Sequence, residues 1–446
     1  MIEFGNRIEP MVDEYLIAQK RNVTFRLAEL QEHGKVIGFD EPWEGAGSAG
    51  MTVLDDGESV KCYYRGFPTG GADDDPRQTA CLAISRDALH FTRVPVNEMV
   101  YDGITENNIV KMDVYCHNFA PFFDNNPNCK PNERYKAIGG ALPHDGIHAF
   151  ASEDGIHWHD LHPQGGVISE GVFDSMNVAF YNPETRKYHC FMRYWYDPNR
   201  DFKNYEVIYK GMRAIRHCTS DDFIHWSESE ENQYAEGHPV DQLYTNATSP
   251  LPGAEHILVS FPMRFQEFRK KYDTFPEHGI SDAILMTSRD GVFWERTVKD
   301  AWLAGSTAPH EWSQRNFITA AGIICRDNRF YFYAEKNYMW ENDGLWAYSV
   351  PKYRLISAYA DGSGGIIQTK QLHFSSDDIY INFRTSAYGY VKLTFRDEAD
   401  NLIYETGELF GNELSCPIHV DGLTGKTGSI QIELKEAHLY AIGSEM

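Results

Sequence analysis

One heptad returns four times at nearly constant spacing. The segments Ser85-Arg86-Asp87-Ala88-Leu89-His90-Phe91, Ser152-Glu153-Asp154-Gly155-Ile156-His157-Trp158, Ser220-Asp221-Asp222-Phe223-Ile224-His225-Trp226 and Ser288-Arg289-Asp290-Gly291-Val292-Phe293-Trp294 share the pattern S-x-D-x-x-x-aromatic, and their serines stand 67, 68 and 68 residues apart. A period of this length marks a chain built from repeated units that bury their apolar faces against one another. Ser and Asp side chains bond nearby backbone N–H groups and so define a turn. The aromatic then enters the next strand and packs between sheets. The heptad is therefore structural, with no catalytic role.

Upstream of each heptad an apolar strand runs through a turn into an aromatic-rich strand. Residues 51–54 pass Asp55-Asp56-Gly57 into 62–65, and 119–123 pass Asp124-Asn125-Asn126-Pro127-Asn128 into 135–138. The same order recurs from 178–181 to 188–193, from 248–250 to 256–261, and from 317–321 to 330–335. Turn residues fall where hairpins need them. A four-stranded unit at even spacing is a propeller blade. The fold class expected is all-β: a five-bladed β-propeller over residues 1–360, followed by a small β-sandwich over 366–446. The fifth unit lacks a clean heptad, and Tyr359-Ala360-Asp361-Gly362 is read as a decayed copy. A strand near Val23, Phe25 and Leu27 is expected to close the ring with the fifth blade. Past Asp361-Gly362-Ser363-Gly364-Gly365, period-2 alternation dominates, as in 379–383, 391–395 and 430–434. This sandwich is read as a buttress on the propeller, with a carbohydrate-binding module as the other reading.

Composition narrows the partners. The formal net charge of −24 opposes phosphate backbones, so nucleic acid is not expected. The sequence has no apolar stretch of roughly 18 residues, so no membrane span is expected. Eight cysteines are scattered without a C-x-x-C pair, which argues against a zinc cluster or a disulfide scaffold. No calcium-loop pattern is present. No cofactor and no metal are expected. The N-terminus lacks a basic and then apolar leader pattern, and the expected location is cytoplasmic, with free thiols. A homo-oligomer is left open. Aromatics make up 14% of the chain, which favours β structure and also suits stacking on sugar rings.

The heptads resemble the blade turns of the five-bladed propeller glycoside hydrolases grouped around families 32, 43 and 68. The segments Asp13-Glu14-Tyr15-Leu16-Ile17, Phe173-Asp174-Ser175-Met176-Asn177 and Ser288-Arg289-Asp290-Gly291 resemble bacterial proteins similar to the family 32 N-terminal domain. That resemblance covers nearly the whole chain and implies the propeller, the sandwich and a hydrolase of glycosidic bonds. The family 32 signatures W-x-N-D-P-N-G, R-D-P and E-C have no match, so no catalytic residue is carried over from it. The heptad is also similar to the sialidase turn S-x-D-x-G-x-x-W, one residue shorter.

In a propeller the innermost strands line a central funnel, so the candidate site residues are polar side chains just before each first strand, with some from second strands. These positions hold Glu44, Asp113, His117, Asn118, Asp174, Ser175, Asn177, Tyr244, Thr245, Asn246, Glu311, Trp312, Arg315 and Asn316, with Trp43 and Glu41 before the first unit and Arg65, Arg193, Arg264 and Glu335 from second strands. Glycoside hydrolysis needs two carboxyl groups flanking the bond. Asp174 is the candidate base or nucleophile, because Ser175 and Asn177 can hold it ionised by hydrogen bonds. Glu335 is the candidate acid, because the preceding aromatic run can raise its pKa. Asp113 is a second choice for either role. Glu44, Arg65, His117, Asn118, Asn177, Arg193, Arg264, Trp312 and Arg315 are candidates for substrate binding. The expected function is an exo-acting glycoside hydrolase on the end of a small glycan or oligosaccharide, with a furanoside favoured and the inserts 70–78 and 196–211 as a rim. Converging arginines point alternatively to a sialidase-like hydrolase or a lyase on an acidic sugar. A sugar-binding propeller without catalysis is the third reading.

Overall fold

The four heptads close their turns with one set of bonds. Ser85 Oγ donates to Asp87 Oδ1 at 2.9 Å, and the same carboxyl oxygen accepts the N–H groups of Leu89 and His90 at 3.0 and 2.8 Å. Asp154, Asp222 and Asp290 repeat the arrangement with the serines two residues before them and the N–H groups two and three residues after. The fourth residue of each heptad has positive φ: 66° at Ala88, 78° at Gly155, 70° at Phe223 and 83° at Gly291. Glycine is required at 155, where a Cβ would come within 2.4 Å of the Tyr63 hydroxyl.

The computed structural model describes residues 2–444, except 69, 71, 73, 142–144, 170, 197–210, 236, 239–240 and 276–277. The chain is almost entirely β. Among the described residues, antiparallel sheets follow one another in chain order. The first is built on Ala49–Asp55, Val60–Gly66, Thr79–Ser85 and Thr92–Arg93, with Ile109–Met112 added at an edge. The second runs Ala120–Phe123, Tyr135–Gly139, His148–Ser152 and His159–Asp160, and the third Val178–Asn182, Lys187–Tyr196, Met212–Ser220 and Glu230–Glu231. The fourth takes Ser249–Leu251, Ala254–Ser260, Met286–Ser288 and Phe293–Glu295, with Gln233–Tyr234 parallel to the last of these. The fifth contains Ile318–Thr319, Arg329–Lys336 and Gly344–Pro351. In the first four sheets the heptad is the turn between third and fourth strands.

Each sheet leans on the one before it. Phe122 of the second meets Phe223 of the third, and Phe191 of the third meets Trp294 of the fourth, both edge to face. Tyr63 of the first donates to Gly155 O at 2.9 Å in the second. Tyr333 of the fifth does the same to Ala88 O of the first at 2.8 Å, so the series returns to its start. The innermost strands of first and fifth also join directly, since Val53 N donates to Ala321 O at 2.8 Å and Ala321 N to Met51 O at 3.0 Å. One apolar cluster accordingly spans both, with Met51, Cys62 and Tyr64 against Tyr331, Tyr333 and Leu345.

Two details differ from the sequence reading. The strand that completes the fifth sheet is Gln31–Gly38, which pairs with Gly344–Pro351; Thr24–Leu27 pairs instead with Ile356–Ala360. Tyr359 lies in that Ile356–Ala360 strand, so residues 359–362 form no heptad turn. With no heptad and no fourth strand following Gly344–Pro351, the edge of the fifth sheet stays open for the earlier segment. The last sheet likewise reaches beyond the expected 366–446. It has eleven strands, among them Ile2–Phe4, Ile8–Pro10, Ile17–Arg21 and Thr24–Leu27. Its two long strands, Asp378–Asp397 and Thr427–Gly443, enclose a core of Phe383, Val391, Leu393, Ile430, Ile432 and Leu439. All eight cysteines are free. Among the described residues no helix is long and apolar enough to cross a membrane.

Candidate active site

A repeated asparagine shapes the turns before the inner strands. Asn177 Nδ2 donates to Phe173 O and Ser175 O, and its Oδ1 accepts the N–H of Arg193 at 3.0 Å. Asn316 repeats this, donating to Ser313 O and His310 O and accepting from Asn337 N. Asn246 donates to Met176 O and Phe191 O. These amides clamp loop backbone against the next strand and hold the residues beside them in fixed directions. Ser175 Oγ ties the 173–177 turn to the segment before the fourth sheet through Tyr244 O at 2.6 Å. Asp174 stands at the tip of that turn.

Asp174 faces a cavity of about 210 Å³ that also takes side chains from the first and fifth sheets and from the segments that precede the second and fourth. Arg65, His117, Asn118 and Arg315 line it, with the hydroxyl groups of Ser175, Thr245, Tyr244 and Tyr338. His117 Nε2 lies 3.2 Å from Asp174 Oδ1, and its Nδ1 lies 2.8 Å from Gln78 Oε1. Arg65 Nη1 lies 3.1 Å from His117 Nδ1, and Arg65 Nη2 donates to Gly47 O. Arg193 Nη2 stands 3.3 Å from Asp174 Oδ2. Burial pushes the Asp174 carboxyl up, but the His117 hydrogen bond and the Arg193 and Arg315 charges outweigh it and hold it well below the usual carboxylate range. Asp174 is therefore an ionised carboxylate, 28% exposed, facing into the cavity. Arg315 Nη1 donates to the Tyr338 hydroxyl at 2.9 Å. Asn118 has φ of 57°, is only 7% exposed, and its Nδ2 has no hydrogen-bond partner.

Glu335 is fully buried at the end of Arg329–Lys336, opposite Ile318 of the cavity wall, and does not line the cavity. Burial and the neighbouring Asp343 push its pKa well above the usual range, against the opposing charges of Arg65 and Arg315. Asp343 is raised by burial, while its bond from Gly344 N acts in the opposite direction. Asp174 and Glu335 thus feel the same Arg315, and their pKa values are driven in opposite directions.

The remaining candidates lie elsewhere. Asp113 caps the 3-10 turn Val114–Cys116 by accepting Tyr115 N at 2.9 Å and pairs with Lys111, so its carboxylate is engaged away from the cavity. Glu44 is buried against the Tyr64 hydroxyl at 2.6 Å and Arg93 at 2.7 Å, a structural ion pair. Asn177 and Arg193 stand behind the wall as supports for Asp174. Arg264 and Trp312 line a different cavity. Part of the expected 196–211 rim, residues 197–210, lies outside the described residues. Sequence reasoning did not pick out Gln78, Tyr338, Met176 or Asp343. Gln78 ends the long 70–78 insert, the one signal that pointed to it. Among the described residues no group of His, Cys, Asp and Glu side chains could hold a metal ion.

No family model matches the chain, and no curated protein sequence matches it. Solved structures with some likeness include one described as a glycoside hydrolase, at 12% identity and TM-score 0.47 over 73% of this chain and 92% of that one. A fructofuranosidase from Schwanniomyces occidentalis complexed with fructosylnystose gives 11% identity and TM-score 0.41 over 92% and 96%. The β-1,2-mannobiose phosphorylase from Listeria innocua gives 10% identity and TM-score 0.46 over 74% and 99%.

Proposed function

We propose that this chain is a glycoside hydrolase that takes the terminal sugar unit of a glycan into the Asp174 cavity, on a five-bladed β-propeller buttressed by a C-terminal β-sandwich. The observation that carries this reading is Asp174, facing the cavity beside His117 and Arg193, with the buried Glu335 behind the cavity wall opposite Ile318 and the two carboxyls driven in opposite pKa directions. Environments that drive two carboxyl groups apart in pKa assign one as base or nucleophile and the other as acid. A pocket of about 210 Å³ suits one sugar ring, and a chain end with a furanoside is the unit favoured. Ser175, Thr245 and the Asn118 amide supply polar contacts for ring hydroxyls. Asp174 attacks the anomeric carbon or activates water, and Glu335 protonates the leaving oxygen. Glu335 does not line the cavity, so the acid step requires its side chain to turn toward the bound sugar; catalytic bonds often tighten only with substrate in place.

Arg65 and Arg315 favour a second reading. Among the described residues, Asp174 is the one carboxylate that lines the cavity with them. Guanidinium groups in that position suit an acidic sugar held through its carboxylate. The deciding experiment is turnover of a panel of aryl glycosides and oligosaccharides, neutral and uronic, by the wild type and by Asp174→Asn and Glu335→Gln. Loss of hydrolysis in both variants supports the assignment. Full activity in both removes it, and no turnover of any substrate removes the hydrolase reading itself.

A further inference from the structure

A second cavity, of about 280 Å³, lies between the third and fourth sheets. Among the described residues it shares no lining residue with the Asp174 cavity. The chain crosses from one sheet to the other at Asn232, after Glu230–Glu231 of the third and before Gln233–Tyr234 of the fourth. Asn232 N donates to Ile215 O at 3.1 Å, which fixes its backbone. Its side chain lines the cavity and the residue is only 8% exposed, yet among the described residues neither Nδ2 nor Oδ1 has a hydrogen-bond partner. The hydroxyl of Tyr234, also in the lining, is buried near this amide and makes no hydrogen bond of ordinary geometry with it. A buried amide with donor and acceptor both unmet is unfavourable, and a ligand carrying the matching acceptor and donor relieves it.

The rest of the lining narrows the ligand. Leu243, Ile284 and Met286 form a buried apolar wall, and Tyr194, Tyr196 and Tyr234 add aromatic rings, which suit a flat partner. The charged groups are already engaged. Arg296 Nη1 donates to Asp241 at 2.7 Å, and Arg216 stands 3.5 Å from Glu231. The Arg213 guanidinium lies 4.4 Å from the ring centroids of both Trp195 and Tyr244. His238 Nε2 accepts the N–H of Arg296 at 2.9 Å, so that nitrogen carries no proton and the ring is neutral. An ionic ligand would have to break one of these pairings. A sugar needs polar partners around its whole rim, whereas these walls are largely apolar. What fits is a flat, uncharged ring with a donor and an acceptor side by side, the pattern that a side-chain amide meets with two bonds.

We propose that this cavity binds an uncharged planar heterocycle or aromatic carboxamide, whose paired donor and acceptor meet the Asn232 amide, at a site separate from the Asp174 cavity. The probes are benzamide and adenine, each with an analogue that lacks the amino donor, methyl benzoate and purine, titrated calorimetrically into the full chain. At least one of benzamide and adenine is expected to bind about tenfold more tightly than its analogue, the scale of one net hydrogen bond. Preference within the adenine pair alone assigns a nucleobase, within the benzamide pair alone a carboxamide, and within both the shared edge. Asn232→Ala, which leaves the cavity open, is expected to abolish the preference, and Asp174→Asn to retain it. Asn232→Leu, which fills the space with an apolar group, is expected to abolish it too and to unfold in urea no sooner than the wild type. The proposal is overturned if neither probe outbinds its analogue, if the preference survives in either Asn232 variant, or if Asp174→Asn removes it, which would put the ligand in the other cavity. Earlier unfolding of Asn232→Leu overturns it as well, because Asn232 would then belong to the structural frame.

Discussion

Glu335 and Asp343 are buried at the same end of the fifth sheet, Glu335 paired with Leu345 and Asp343 just before Gly344, the partner of Lys336. Both pKa values are raised, burial being the first cause in each, so these carboxyls release their protons at higher pH than exposed ones do. The sign follows from linkage. A carboxyl raised in the folded state contributes stability that is complete below its unfolded pKa, about 4.3 for Glu, and is lost as pH climbs toward the folded value. Glu335→Gln carries a neutral donor at every pH. Its stability relative to the wild type is therefore expected to rise between pH 5 and pH 8, with a slope of at most about 1.4 kcal/mol per pH unit for one proton. Urea unfolding at several pH values checks this, and a pH-independent difference would mean that the pair is ionised.

Asp174 has the opposite linkage. Its depressed pKa keeps it charged throughout the range in which the protein is assayed. The acid limb of kcat/KM should not be set by this residue at any pH above its unfolded value of about 3.9, while loss of the Glu335 proton sets the basic limb. Asp174→Asn is expected to lower kcat by on the order of 10² to 10⁴. Its KM should change far less, because Arg65, Arg315 and Asn118 remain in place. A pH–rate profile and a steady-state comparison together test the assignment.

The succession of repeated β-sheets was legible because its signal is local and repeated. An S-x-D turn needs the same bonds wherever it occurs, so Asp87, Asp154, Asp222 and Asp290 announce themselves in sequence. The outer strand of the fifth sheet was not legible, because Gln31–Gly38 pairs with residues more than 300 positions away and nothing nearby marks that partner. The site was legible in part. Asp174, His117, Asn118 and Arg315 precede inner strands and Arg65 stands near the end of a second strand, where the architecture directs side chains inward. Asp113 and Glu44 hold comparable positions yet serve as a cap and an ion-pair partner, and a carboxylate's neighbours across the fold decide between such roles. Asp343 lies in a loop with no pattern of its own.

Arg65 and Arg315 make a prediction about charge. If the bound unit is acidic, removing either guanidinium costs a charge-assisted hydrogen bond of about 1.5–3 kcal/mol, roughly 10- to 150-fold in affinity. Arg65→Gln and Arg315→Gln should then raise KM for a uronic substrate by that factor and for its neutral counterpart by much less. Equal changes for both substrates would place the arginines in support of Glu335 and the His117–Asp174 pair rather than in contact with the ligand.

Gly155 supplies a test of how the sheets are joined. Its carbonyl accepts the Tyr63 hydroxyl from the preceding sheet, its φ is 78°, and a methyl group at its Cα would lie 2.4 Å from that same oxygen. Ala88 occupies the matching turn with φ of 66° and still accepts Tyr333, so left-handed backbone alone is tolerated at this position. Gly155→Ala is therefore expected to cost more than the roughly 1 kcal/mol of a left-handed alanine, reaching about 2–3 kcal/mol through the displaced Tyr63 hydroxyl. Tyr63→Phe removes the clashing oxygen and the bond together. The double variant should be more stable than the sum of the two single effects predicts, by about 1 kcal/mol or more. Urea denaturation of the four proteins measures the coupling. Strict additivity would show that the Tyr63 contact adds nothing to the junction between the first two sheets.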